Sequence, residues 1–375
     1  VKRLLVVSNG YGEDLEVAQV IRALPPGQVT VSAYPLVGLG RAYPPGTTLL
    51  DPRREFPSGG FGVRAGWAAF WKDVRSGSLG FWAAQRRTLR AQRGRADMVV
   101  AAGDAYCLMM AAAAGGPTVH LELPKSEYIG PHSPLELWII RRMACQVFTR
   151  DEVTAAALRR RGIPAQYRGF TLMDTLIPTG ATFDLPPERP VLTLLPGSKP
   201  AAVQNLVLLL RAAATASRTA AVSGLRAWAP NLARERLRTA IETSGGRWVS
   251  PDRFRCGSIE ATVTSEHFAD ALARATVVLG MAGAAHEQAA GLGKPVVAFP
   301  GTGPQFTARF LEEQQQLLGD ALVVTAGPEE AAQAVASLLA DPAERERRGR
   351  IGRERQGGPG GASAIARYLL ERLSA

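Results

Sequence analysis

Short apolar runs that end in small or polar turn residues, most of them separated by stretches with helical spacing, recur along this chain in two separate series. The first comprises residues 3–8, 29–34, 97–101, 118–121 and 146–149. The second comprises residues 191–195, 218–222, 247–249, 276–280, 295–299 and 321–325. Strands that alternate with helices pair in parallel, because each crossover needs a helix-length connection, and both faces of such a sheet are covered. Two series in 375 residues therefore predict two α/β domains with mostly parallel sheets. The Pro-rich stretch 177–190 divides them. We expect a first domain over 1–178, a linker over 179–190, a second domain over 191–355, and a C-terminal helix within 356–375 that crosses back to the first. Sheets of this kind bind ligands beyond the carboxyl ends of their strands, so the cleft between the domains is the expected active site.

Composition narrows the class. An apolar content of 46% with 21% charged residues is that of a globular chain and excludes a fibrous or disordered one. The apolar run 98–114 is interrupted by Asp104, so no segment is expected to span a membrane. The opening VKRLLVVSNGYGED turns into glycines after a short apolar run, which reads as a first strand and not as a leader. Three cysteines without CxxC spacing indicate neither a disulfide framework nor a zinc site, and a reducing cytoplasm follows. A net charge of +11 calls for an anionic partner.

Four motifs carry chemistry. In GMAGAAHEQAAGLGKPVVAFPG, Gly283, Ala284 and Ala285 open a helix with residues too small to block an anion from the first N–H groups. His286 stands beside the anion or the base, and Glu287 offers two acceptor oxygens to a ribose diol, or complements the helix dipole. In VLTLLPGSKPAAVQ, Gly197, Ser198 and Lys199 form a second strand-to-helix turn, where Lys199 neutralises a diphosphate or is merely solvated. In SNGYGED, Asn9, Gly10, Tyr11 and Gly12 precede Glu13 and Asp14. That loop lacks the third glycine of a dinucleotide fingerprint and carries acids where a pyrophosphate would sit, which disfavours a nicotinamide enzyme. Asp104, at the end of an apolar strand, is placed either to take a proton from an attacking hydroxyl or to cap the next helix.

Taken together these runs resemble the lipid-A-disaccharide synthase family of glycosyltransferases. That family's LPGSR run is similar to Leu195–Lys199, its SGTATLE run to Met281–Glu287, and its strand-end acid to Asp104. Lys199 replaces the family's arginine, Gly283 and Ala285 replace hydroxyl residues, and Cys107 stands where a second acid follows the first. The divergent "lipid-A-disaccharide synthase-related" group also carries an Asn-Gly-x-Gly-Glu-Asp run like Asn9–Asp14. More loosely, the peptidoglycan N-acetylglucosaminyl transferases are similar through a ribose-holding glutamate matching Glu287 and a downstream glutamine matching Gln305. The resemblance implies the GT-B fold, two Rossmann-like domains facing a cleft. It implies an inverting transfer from a nucleotide-sugar donor, with UDP the commonest nucleotide, to a lipid or glycolipid acceptor. Asp104 is then the base, with Glu13 and Asp14 as further candidates.

Segment 53–95 is basic and aromatic. Trp67, Phe70, Trp71, Phe81 and Trp82, with Arg86 and Arg87, are expected to seat the protein on an acidic membrane surface at the inner face of the cell membrane. The other reading is a pair of core helices with aromatics turned inward. No nucleic-acid signature accompanies the charge. No cofactor and no metal are expected, since Lys199 and a helix N-terminus can carry the diphosphate charge, so activity should survive chelation. Two alternatives remain open: a nucleotide-sugar 2-epimerase on the same fold, and a non-catalytic relative that binds nucleotide or glycolipid.

Overall fold

Leu4 and Val6 face one side of the first strand and Leu5 and Val7 the other, and each pair is buried in a different core. This period of two, with both faces apolar, is what a central parallel strand requires. The computed structural model describes residues 1–55, 78–218, 221–229, 232–302 and 306–374.

Two compact units result, one of Val1–Thr175 with Pro359–Ala375 and one of Leu176–Gly358. In the first, strands β1 (Lys2–Ser8), β2 (Val29–Pro35), β3 (Thr48–Leu49), β4 (Met98–Ala102), β5 (Thr118–Glu122), β6 (Gln146–Thr149) and β7 (Ala165–Tyr167) form a seven-stranded sheet among the described residues. All its pairings are parallel, in the order β3-β2-β1-β4-β5-β6-β7. Helices α1 (Tyr11–Arg22), α2 (Ser78–Arg90), α3 (Ala105–Ala112), α4 (Pro134–Met143) and α5 (Glu152–Arg160) accompany it.

The second unit holds α6 (Ala202–Ala216), α7 (Arg234–Thr243), α8 (Phe268–Arg274), α9 (Ala284–Gly291), α10 (Ala308–Leu318), α11 (Pro328–Ala340) and α12 (Pro342–Gln356). Its eight-stranded sheet comprises β8 (Val191–Leu195), β9 (Ser223–Ala227), β10 (Arg247–Ser250), β11 (Arg253–Cys256), β12 (Ile259–Thr264), β13 (Val277–Gly280), β14 (Val296–Ala298) and β15 (Leu322–Val324). The order is β10-β11-β12-β9-β8-β13-β14-β15, with antiparallel pairing only between β10, β11 and β12. Of the expected strand at 218–222, residues 219 and 220 lie outside the described residues, and the strand described there is β9, which begins at Ser223 and whose apolar pattern the charge of Arg226 interrupts. The hairpin β11–β12 went unread: its Gly257-Ser258 turn joins strands too short to show alternation.

The Pro-rich stretch is tied to the second unit. Asp270 accepts hydrogen bonds from the backbone of Thr179 (2.9 Å) and Gly180 (2.9 Å), and Phe183 and Leu185 pack on Val191, Leu225 and Ala271.

The last helix, α13 (Gly361–Ser374), belongs to the first unit. Ala362, Ile365, Ala366, Leu369 and Leu373 recur at helical spacing and complete the core beside α1. Asp174 anchors its start, accepting from Gly360 N at 2.5 Å and Ala362 N at 2.8 Å. Such a carboxylate satisfies helix-start donors and complements the dipole. Asp174→Ala should therefore lower stability by about 1–2 kcal/mol in urea unfolding. An unchanged midpoint would show that the helix is held by its apolar face alone.

Candidate functional site

Each sheet reverses its strand order once, between β1 and β4 in the first unit and between β8 and β13 in the second. The loops leaving the two strands of such a pair run in opposite directions and open a crevice at the carboxyl edge. The motif residues of both units lie at these two points.

In the first unit, the loops after β1 and β4 touch. Asn9 N donates to Ala102 O at 3.2 Å. Gly103 has φ 153°, and a Cβ there would stand 2.7 Å from the Cβ of Asn9, so glycine is required for this approach. α1 starts at this junction behind Gly10, with Glu13 and Asp14 in its first turn. Tyr11 is exposed, with its ring against Gly38, and Gly12 is exposed as well.

The three acids are brought together but are not equivalent. Asp14 is buried on the inner face of α1, where Ser8 Oγ donates to its Oδ1 at 2.5 Å and lies 2.5 Å from the Tyr43 hydroxyl. Burial raises its carboxyl, the Ser8 hydrogen bond offsets only part of this, and the charge of Glu13 adds to the rise, pushing it up to about 7. Its expected role as a base is corrected: Asp14 is sealed under the loop and acts on the charge of its neighbours. Glu13 is half-buried, and its carboxyl is raised by burial, with the charge of Asp104 contributing. Asp104 caps α3, accepting from Cys107 N at 3.0 Å through Oδ1. It remains partly exposed at the strand end, so cap and strand-end acid are one residue.

β5 adds a group absent from the expected set. Glu122 ends that strand next to β4, and its Oε1 lies 2.8 Å from His132 Nε2, while His132 Nδ1 lies 2.7 Å from Glu127 Oε1. Burial opposes a charged His132 ring, but the hydrogen bonds and charges of Glu122 and then Glu127 outweigh it and raise its pKa. His120, two residues before Glu122, is wholly buried, with Nδ1 on Ala101 O at 3.2 Å, and burial lowers its pKa. The neutral ring then donates from Nδ1, and Nε2 is an acceptor. On and beside β1 and β5, three buried acceptors have no hydrogen-bond donor among the described residues: Asn9 Oδ1, His120 Nε2 and Glu122 Oε2. Asn9 follows β1, Glu122 ends β5 and His120 lies two residues before it, on either side of β4, and such acceptors suit the hydroxyls of a polyol. Glu122 was legible as a strand-end acid by the same rule that singles out Asp104.

In the second unit, Met281 N donates to Leu195 O at 2.8 Å, which joins the loops after β8 and β13. Gly197 has φ 92°, and a Cβ there would lie 2.9 Å from Met281 O. Ser198 and Lys199 are exposed in this loop. α6 follows behind Ala201 and α9 behind Gly283, and neither start has a side-chain cap. Ala284 is exposed, and Ala285 and Glu287 are half-buried in the first turn of α9. Asn205, which the motif reading passed over, links this crevice: its Nδ2 donates to Pro196 O at 3.3 Å and its Oδ1 accepts from Thr302 N at 3.3 Å.

His286 is corrected. Its ring is wholly buried, Nδ1 lies 3.0 Å from Gln314 Oε1, Nε2 accepts from Ala282 N at 3.3 Å, and Gln314 Nε2 returns to Gly283 O at 3.1 Å. Burial lowers its pKa to about 4, so the neutral ring braces the Gly/Ala turn from within and does not face a ligand. Gln305, Trp67, Phe70 and Trp71 lie outside the described residues. On α2, Phe81 and Trp82 are partly buried while Arg86 and Arg87 are exposed. Gln85 and Leu89 form the buried face of that helix, with Gln85 Nε2 donating to Leu36 O at 2.9 Å, so this part of the segment packs inward.

Solved structures share this fold. The UDP-GlcNAc 2-epimerase from Neisseria meningitidis bound to UDP-GlcNAc is similar over 99% of this chain and 100% of its own, with TM-score 0.58 and 14% identity. MurG from Acinetobacter baumannii is similar over 100% of this chain and 99% of its own, with TM-score 0.59 and 15% identity. The calicheamicin glycosyltransferase CalG4 is similar over 100% and 99%, with TM-score 0.59 and 16% identity. The chain has the GT-B fold. No protein-family model and no curated protein matches it. These GT-B neighbours include both epimerases and glycosyltransferases, and their identities to this chain are too low to carry an activity across.

Proposed function

We propose that this GT-B chain is an inverting glycosyltransferase that moves a sugar from a nucleotide-sugar, with UDP as the nucleotide, to a hydroxyl of a lipid or glycolipid. The observation that carries the reading is the division of labour between the two switch points. One offers two uncapped helix starts, small residues and Lys199, which suit a diphosphate. The other offers Glu13, Asp104 and three acceptors awaiting hydroxyl donors.

Asp104 would take the proton of the acceptor hydroxyl as its oxygen attacks the anomeric carbon. The bond to the diphosphate breaks, its electron pair leaves with the nucleotide, and the configuration inverts. Lys199 and the N–H groups at the starts of α6 and α9 would stabilise the departing charge without a metal. Glu287 would hold the ribose. An acidic membrane surface fits α4, where Leu135 (66% exposed) and Trp138 (58% exposed) stand one turn apart beside exposed Arg142. Among the described residues no helix is long and apolar enough to cross a membrane.

A second reading, a nucleotide-sugar 2-epimerase, is favoured by the acids of the first unit. Glu13, Asp104 and Glu122 are more carboxylates than a direct displacement needs. Incubation with a panel of UDP-sugars, with and without detergent-dispersed bacterial lipid, separates the two by proton NMR of the anomeric signals. Transfer predicts UDP and a glycolipid only when lipid is present. A new free UDP-sugar formed without lipid would replace the transferase with the epimerase.

A further inference from the structure

Arg226, the penultimate residue of β9, is wholly buried, yet none of its three guanidinium nitrogens has a hydrogen-bond partner among the described residues. Among the described residues no carboxylate offsets its charge, and burial holds it well below the usual guanidinium range. An unpaired buried charge is among the most costly arrangements a core can contain, so this one calls for a counterpart.

Its position shows what that counterpart is. Thr193 of β8 sends its hydroxyl to Ala271 O at 3.1 Å, toward α8. Leu194, next along β8, and Arg226, registered beside it on β9, therefore face the other side of the sheet, the side covered by α6 and α7. The guanidinium carbon lies 4.1 Å from the ring centre of Trp228, which follows the last strand residue. Trp228 is itself fixed, its Nε1 donating to Leu232 O at 2.9 Å. The charge is thus carried past the end of β9 to the carboxyl edge, one strand from where Pro196–Lys199 leaves β8. α6 starts from that loop behind Ala201, whose side chain offers nothing to the first N–H groups. A positive helix end and a bare guanidinium at one edge repel each other unless an anion joins them.

We infer that Arg226 is the fixed cation of a phosphate subsite at the carboxyl edge of β8 and β9, completed by Lys199 and by the first-turn N–H groups of α6 that follow Ala202, whose own N–H donates to Lys199 O at 2.9 Å. The phosphate is that of the nucleotide proposed above, and the assignment rests on that reading. The guanidinium supplies planar paired donors that an ammonium does not, and the Trp228 face holds its plane.

The test is calorimetric titration of UDP and of inorganic pyrophosphate into the full chain and into R226M and R226K, each also followed by thermal unfolding without ligand. R226M is expected to bind both anions about 30-fold or more weaklier than the unmodified chain, and R226K about tenfold weaklier. Without ligand, R226M is expected to melt at the same temperature or higher, because an apolar side chain replaces an uncompensated charge. Folded variants that bind UDP within about threefold of the unmodified chain would overturn the assignment and leave the nucleotide reading intact. Should R226M fail to fold, R226K alone decides by the same comparison. Binding of pyrophosphate but not UDP, lost in the variants, would keep the subsite and remove the nucleotide. An unmodified chain that binds neither would remove both.

Discussion

Asp104→Asn lowers the rate of sugar transfer about 10²–10⁴-fold and leaves the chain folded. Asparagine caps a helix about as well as aspartate, so its side-chain oxygen still accepts from Cys107 N, where the carboxylate now accepts at 3.0 Å. What is lost is the ability to take a proton, and the loss falls on kcat more than on KM. Glu13→Gln is the comparison. Glu13 shares the crevice, and its raised carboxyl reflects first its own burial and then the charge of Asp104. If Glu13→Gln removes transfer and Asp104→Asn leaves it intact, the base is Glu13 and Asp104 is only a cap. Steady-state rates of UDP release from the two variants, beside their melting curves, settle this.

Asp14→Asn makes the protein more stable at pH 8 by about 4 kcal/mol, if the whole rise from 3.8 to about 7 is lost with the charge. The folded carboxyl titrates near 7 and the unfolded one near 3.8, so between those values the folded chain holds a proton the unfolded chain has released. Stability then falls as pH rises from about 4 to about 7, and the deficit is complete above that. Asparagine keeps an oxygen for the Ser8 hydroxyl, 2.5 Å away, without the buried charge. Urea unfolding between pH 4 and 8 should give a falling stability for the unmodified chain and a flatter one for Asp14→Asn. Parallel curves would show that Asp14 titrates as an ordinary carboxylate.

The turns at strand ends were the most legible part of the chain, because small residues there serve backbone geometry that no other residue can adopt. Gly103 and Gly197 both hold positive φ, and both allow a loop to touch its neighbour at a switch point. The side on which a polar group falls was harder to read. Asp14 lies three, four and seven residues before Val17, Ala18 and Ile21, so helical phase alone turns it inward. His286 stands next to Glu287 in sequence, yet one residue is about 100° of helix, and the ring turns into the core toward Gln314. β9 was misplaced for the reason that makes it informative: Arg226 interrupts an apolar pattern that a buried strand would otherwise show. Glu122 depends on a partner, His132, ten residues away across an irregular loop, and no local period could reveal the pair.

The most direct measurement of the central claim is hydrogen exchange of the full chain, followed by mass spectrometry, with and without UDP. If the nucleotide sits at the second switch point, UDP slows exchange in peptides spanning residues 195–205 and 280–290 and leaves residues 9–14 and 103–107 unchanged. Protection confined to 9–14 and 103–107, or none anywhere at saturating UDP, would contradict it.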